Sequence, residues 1–246
     1  MRINWFKYAS PASFYPLAGK MIPWFAIPAG ILALIGLYIG FFVAPTDYQQ
    51  GEAYRIIFIH VPAAWMSMII YLAMAFWAII GLIWNSRLST MMATALAPTG
   101  AIFCFLALWT GALWGKPIWG AYWVWDARLT TQLILMFMYL GYIALQASIE
   151  DPRRSARASG LLAIVGAFNV PIIYFSVIWW NSLHQAPSVT LTNAPTMPAA
   201  TASAMFILAI AAWLYTIAMV LKRVRCEILE RERHASWVAD LAAKEG

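Results

Sequence analysis

Six long apolar stretches separated by short polar connections dominate the chain, at 24–43, 56–84, 91–114, 129–149, 160–181 and 199–221. A spanning helix needs about 20 mostly apolar residues, and every stretch meets that length. The second is long enough to tilt or to project beyond the bilayer. The two-residue alternation of a membrane barrel does not occur, so backbone groups in lipid must be satisfied within helices. The pattern predicts an all-α polytopic membrane protein with six transmembrane helices, a single membrane domain over residues 1–246. Before the first stretch, residues 1–23 mix Trp5, Phe6, Tyr8, Phe14 and Tyr15 with Pro11 and Pro16, and read as a segment lying along the inner surface. Residues 24–221 are the expected six-helix bundle. Residues 222–246 read as an amphipathic cytoplasmic tail, with Ile228, Leu229, Trp237, Val238 and Leu241 set among charges. Such a tail rests on the bilayer surface or docks a cytoplasmic partner.

Composition agrees with that class. Hydrophobic residues make up 63% of the chain and charged residues 11%, against about one-quarter charged in soluble proteins. The positive charges are unevenly placed. Arg55, Lys116 and Arg128 alone, of the 16 Lys and Arg, fall in connections on one side; the others lie in the amino-terminal segment, the alternate connections and the tail. The positive-inside rule then puts both termini in the cytoplasm. The net charge of +6 follows from this topology and is no sign of nucleic-acid binding. Cys104 falls mid-membrane and Cys226 in the tail, so no disulfide between them is expected. The first apolar stretch is too long for the core of a signal peptide and reads as retained.

On the outward side, between the third and fourth stretches, the chain reads WGKPIWGAYWVWD. Trp114, Trp119, Trp123 and Trp125 recur at spacings of five, four and two, and Gly115 and Gly120 each directly follow a tryptophan. Indoles suit the boundary between lipid and water, so a rich aromatic belt is one reading of the run. The other is a platform for a large flat apolar ligand, which glycine would let approach closely. Asp126 ends the run just before the fourth stretch, where it either caps a helix or acts at the site.

The topology gives two of the three histidines meaning. His234 is in the polar tail, whereas His60 and His184 lie near the outer ends of the second and fifth stretches. Each alone reads as a satisfied polar residue; together, at similar depth beside the tryptophans, they also read as a ligand pair. Zinc prefers three or four protein ligands, and no further outward histidine or cysteine completes a set. Haem iron fits better, because the porphyrin supplies four nitrogens and leaves two axial positions. Its propionates call for cations, and Arg55, Arg128 and Lys116 flank these elements. The arginines equally suit lipid headgroups or neighbouring carboxylates.

These residues carry a resemblance. Trp114-Gly115, Trp119-Gly120, Trp123 and Trp125-Asp126 match a WGxxxWGxxWxWD pattern at every fixed position. With six helices and histidines on either side of the motif, the chain resembles the cytochrome c maturation protein C family, also called haem exporter protein C, over nearly its full length. The stretches YQQGEAYRIIFIHVPAAW around His60 and WWNSLHQ around His184 share in the match. Haem lyase subunits with the same loop are much longer chains. The resemblance implies a haem-binding subunit of c-type cytochrome biogenesis in the bacterial inner membrane, with its site on the periplasmic side. It further implies haem b held by His60 and His184 as axial ligands. The 114–128 loop would cover the haem and meet a haem chaperone, maturation protein E. Implied partners are the ABC transporter ATPase and membrane subunits (maturation proteins A and B) and the small membrane protein D. The chain has no Walker motif, so nucleotide hydrolysis falls to a partner and no catalytic residue is expected here. Transmembrane movement of haem or another solute is the alternative; a membrane enzyme is the third reading. Pro62, Pro98 and Asn169–Pro171 predict kinks rather than a charged path.

Overall fold

The computed structural model describes residues 5–180, 182–185 and 196–245. Among the described residues, six helical segments are long and apolar enough to cross a membrane: Pro11–Val43, Glu52–Trp84, Arg87–Trp119, Ala127–Ser148, Pro152–Trp179 and Ala199–Arg231. The chain is all-α in the described residues, apart from an isolated bridge between Asp47 and Gly51.

Several boundaries differ from the sequence expectation. Helix α1 runs from Pro11 to Tyr38 and continues as a π-helical turn, Ile39–Val43. It therefore absorbs much of the segment expected to lie apart before residue 24. Its start is chemically defined, with Ser10 as the N-cap and Pro11 in the first turn, where proline's missing N–H costs nothing. Pro16, Pro23 and Pro28 lie inside it, and the helix runs through all three. A 3₁₀ turn, Glu52–Ile56, leads into α2, Ile57–Trp84.

Helix α3, Arg87–Trp119, extends five residues beyond the predicted end, so the first part of the tryptophan run is helical. Helix α4 is Ala127–Ser148. The fifth span is divided into α5, Pro152–Ala167, and α6, Asn169–Trp179. Its break falls where the Asn–Val–Pro sequence predicted a kink, since proline at 171 cannot donate to the preceding turn. Helix α7, Ala199–Arg231, is continuous past Leu221, and only α8, Ser236–Glu245, forms a separate tail helix. The expected tail is thus shorter by one long helical extension. It is also partly docked on its own bundle: Ile228 is fully buried, and Trp237 packs on Tyr15 and donates to Glu232.

Helix α2 packs most extensively against α3, and α1 against α7; α7 also lies on α2 and α3, joining the two pairs. Helices α4, α5 and α6 close the other flank. Buried polar groups bind these helices together where water cannot. Tyr139 donates to the Ser67 carbonyl at 2.7 Å, and Gln132 donates to Ser67 Oγ at 2.9 Å and to Cys104 Sγ at 3.3 Å. In lipid such bonds help fix which helix faces which. They form the floor beneath the site.

Candidate functional site

A cavity of about 490 Å³ opens at the end of the bundle that carries the tryptophan run, within the ~300–1,000 Å³ range of ligand sites. Its walls are largely apolar, and its polar groups are few: His60, His184, Arg128 and Gln132 among them.

His60 comes from the first turns of α2, and Thr110 of α3 stands 3.0 Å from its Nδ1. The Thr110 hydroxyl has one proton, which it gives to the carbonyl of Leu106, one turn back in its own helix. It therefore accepts from His60, which places the imidazole proton on Nδ1 and leaves the Nε2 lone pair free. His184 reaches the same state by another route. Its Nδ1 lies 2.9 Å from the carbonyl of Gln185, and a carbonyl only accepts, so Nδ1 carries the proton here too. Burial, aided by the nearby Arg128 guanidinium, holds the His184 pKa below its ordinary value, which favours the neutral ring. A metal-ligating histidine characteristically has its other nitrogen fixed in this way.

The two ring centroids lie 6.3 Å apart, with planes 35° from parallel. Two imidazoles bound through nitrogen to one metal, at about 2 Å each, put their ring centres roughly 6 Å apart. The spacing fits a single metal between them. Among the described residues no group of three or more His, Cys, Asp or Glu gathers to hold a bare ion. The donor set suits a metal whose remaining positions are filled by a macrocycle.

The tryptophans divide into two groups. Trp114, Trp119 and Trp123 line the cavity. Trp114 meets His60 edge-on at 5.7 Å and donates to Gln50 at 2.8 Å, tying the 47–51 turn to the site. Trp123 presents a buried indole N–H with no acceptor among the described residues. Trp125 does not line the cavity; it is 77% exposed and packs edge-on against Trp123. Both motif glycines have steric reasons. A Cβ at Gly115 would lie 2.9 Å from Trp119 Cε3 and 3.1 Å from the Ala121 carbonyl. Gly120 caps α3 with φ +77°, a left-handed conformation that glycine adopts without penalty.

The flanking charges separate as well. Arg128 lines the cavity and donates to the Ile173 carbonyl at 3.3 Å, leaving most of its donors unused. Arg55 does not reach the cavity. It bonds Glu52 and the carbonyl of Gly40, the pairing with a neighbouring carboxylate that the sequence also offers. Lys116 is likewise turned away, donating to the Gly120 carbonyl at 3.1 Å and lying over the Tyr122 ring. Asp126 caps α4, accepting from the Leu129 N–H at 2.7 Å, and its second oxygen accepts from Ser182 at 2.6 Å. Sequence reasoning passed over Thr110, Ser182 and Gln132.

The chain matches the family model for haem exporter protein C over residues 4–239. It is 44% identical over 241 residues to haem exporter protein C of Escherichia coli strain K12, covering 98% of this chain and 97% of that protein. Against the Bradyrhizobium diazoefficiens protein of the same name it is 47% identical over 223 residues, 91% and 84% of the two chains. The Haemophilus influenzae protein of that name is 42% identical over 235 residues, 96% of each. On this match, and with six apolar helices surrounding a two-histidine cavity, the chain belongs to the haem exporter protein C family.

Proposed function

We propose that this protein holds haem for c-type cytochrome biogenesis as a multi-pass protein of the bacterial inner membrane. In this reading haem b sits between His60 and His184 on the periplasmic side and passes to a haem chaperone, maturation protein E. The observation that carries it is the pair of imidazoles with centroids 6.3 Å apart, each with Nδ1 engaged by an acceptor and Nε2 without a partner among the described residues. Bound there, haem supplies four in-plane nitrogens and an iron that takes two more. The protein's residues do the rest. Trp119 and Trp123 offer apolar faces to a macrocycle, Arg128 offers a fork to a carboxylate, and the apolar walls keep water from the iron. Trp125 and Tyr122, 77% and 57% exposed, are the aromatics available to the chaperone.

The relatives' name, an exporter protein lettered C, supports a complex with further components; in this reading they are an ABC transporter's ATPase and membrane subunits A and B with protein D, and nucleotide hydrolysis falls to the ATPase. The chain itself acts as an assembly subunit and not as an enzyme. Holding is favoured over passage through the bundle by the floor of Ser67, Gln132 and Cys104, which are buried and bonded together below the cavity. The test is absorption spectroscopy of the protein purified with its partners. A low-spin bis-histidine spectrum is expected, and it disappears in the His60→Ala, His184→Ala double variant. A low-spin spectrum surviving in that variant would sink the ligand assignment.

A further inference from the structure

Asp126 uses its two carboxylate oxygens on different partners. Oδ1 accepts from the Leu129 N–H at 2.7 Å and caps α4. Oδ2 accepts from the Ser182 hydroxyl at 2.6 Å, and the Ser182 oxygen in turn accepts from the backbone N–H of His184 at 3.0 Å. One serine hydroxyl can do both, because it has one proton and two lone pairs. The bond to the carboxylate is charge-assisted and short, the stronger class of hydrogen bond. His184 itself lies in no helix; residues 182–185 follow the end of α6 at Trp179. A ligand on irregular backbone needs fixing if its nitrogen is to stay in place, and here the fixed point is the amino end of a transmembrane helix.

We propose that Asp126 and Ser182 are positioning residues for His184, forming a clamp that runs from the α4 cap through one hydroxyl to the backbone of the ligand. The proposal rests on His184 being a haem ligand. It resolves the choice between cap and function at Asp126, since the same carboxylate does both. The tryptophan run then ends in aspartate for a mechanical reason: the residue that stops the loop and starts α4 also holds the opposite axial ligand. His60 needs no such clamp, because it is carried by the regular backbone of α2.

The test uses the full chain in detergent micelles, labelled with ¹⁵N-histidine. Its three histidines give three backbone amide signals, assigned by replacing each in turn with Gln. In the haem-free protein, Ser182→Ala should speed hydrogen exchange of the His184 amide about tenfold, the effect of losing one hydrogen bond, and leave His60 unchanged. Asp126→Ser retains a good N-cap residue but is too short to reach Ser182 as well, and should behave as Ser182→Ala does. Ser182→Thr keeps the hydroxyl and should restore slow exchange. After haem loading, Ser182→Ala and Asp126→Ser should show a high-spin fraction that added imidazole converts to low spin. Unchanged exchange at His184 together with a fully low-spin spectrum in both variants would overturn the clamp. Faster exchange in a protein that takes up no haem would overturn the haem reading while leaving the clamp standing. Ser182→Ala removes one loop hydroxyl and leaves the bundle intact, so the experiment is readable even if Asp126→Ser folds poorly.

Discussion

Thr110 accepts a hydrogen bond from His60 because its own proton is already committed to the Leu106 carbonyl. That commitment sets the tautomer of a ring 50 residues away in sequence, at the wall of the cavity, and leaves Nε2 as its unprotonated nitrogen. Thr110→Val keeps the shape of the side chain but removes the acceptor. The Nδ1 proton then loses its partner, and the ring is free to turn or to exchange tautomers. Haem affinity should fall about 10- to 100-fold, the usual range for losing the group that orients a metal-bound histidine. Thr110→Ser should retain affinity. Haem titration followed by absorbance measures both, and an unaltered dissociation constant in Thr110→Val would refute this role.

Arg128 and Arg55, alike in sequence, should behave oppositely. Arg128 lines the cavity with most of its donors free, so Arg128→Ala should lower haem occupancy several-fold. Arg128→Lys keeps the charge without the planar fork and should fall between the two. Arg55 ties the turn before α2 to Glu52 and to the Gly40 carbonyl. Arg55→Ala should therefore reduce the yield of folded protein while leaving haem occupancy per folded molecule unchanged. Haem-to-protein ratios of the purified variants decide the matter; a larger loss of occupancy for Arg55→Ala than for Arg128→Ala would reverse the assignment.

What the sequence made legible follows from range. Six spans could be read because apolar length is a local property that lipid rewards residue by residue. Helix ends were less legible. Ser10–Pro11 is a good start signal, but Pro16 breaks the apolar pattern soon after it, and the helix runs through that proline. Gly120 marks the end of α3, yet it lies inside a run that reads as one loop. Placing His60 and His184 at the same membrane end needed only topology, and the structure brings their rings together. Thr110 and Ser182 were invisible for the opposite reason. A single hydroxyl has no spacing pattern, and its meaning lies in a partner that only folding supplies. Arg55 is near His60 in sequence, but that nearness says nothing of Gly40, whose carbonyl the fold brings to its side chain.

The two motif glycines should fail in different ways. Gly120→Ala forces a side chain into the left-handed conformation at φ +77°, which costs about 1 kcal/mol of stability, and Gly120→Asn should recover much of it. Gly115→Ala instead sets a methyl group against the Trp119 ring and the Ala121 carbonyl. The ring must shift within the cavity wall, so haem affinity should drop by more than thermal stability does. Melting temperature and haem affinity measured on both variants separate strain from displacement; parallel losses in the two would show that Gly115 has no distinct role.

Trp123 carries the final prediction, because its indole nitrogen, at the wall of the cavity, is a buried donor without an acceptor among the described residues. Leaving such a donor unmet costs roughly 1–3 kcal/mol, a penalty that persists in the empty protein and is relieved when a ligand brings an acceptor. A haem propionate is such an acceptor. Trp123→Phe removes the donor and keeps an aromatic face, so two effects of opposite sign are expected. The haem-free variant should be as stable as the parent or more so, since the unmet group is gone. Its haem affinity should fall about tenfold, in line with one lost hydrogen bond to a charged group. Trp119→Phe, whose nitrogen is not among the unmet donors, should lose less. Equal haem affinity in Trp123→Phe and the parent would mean that the indole serves the site by its face alone.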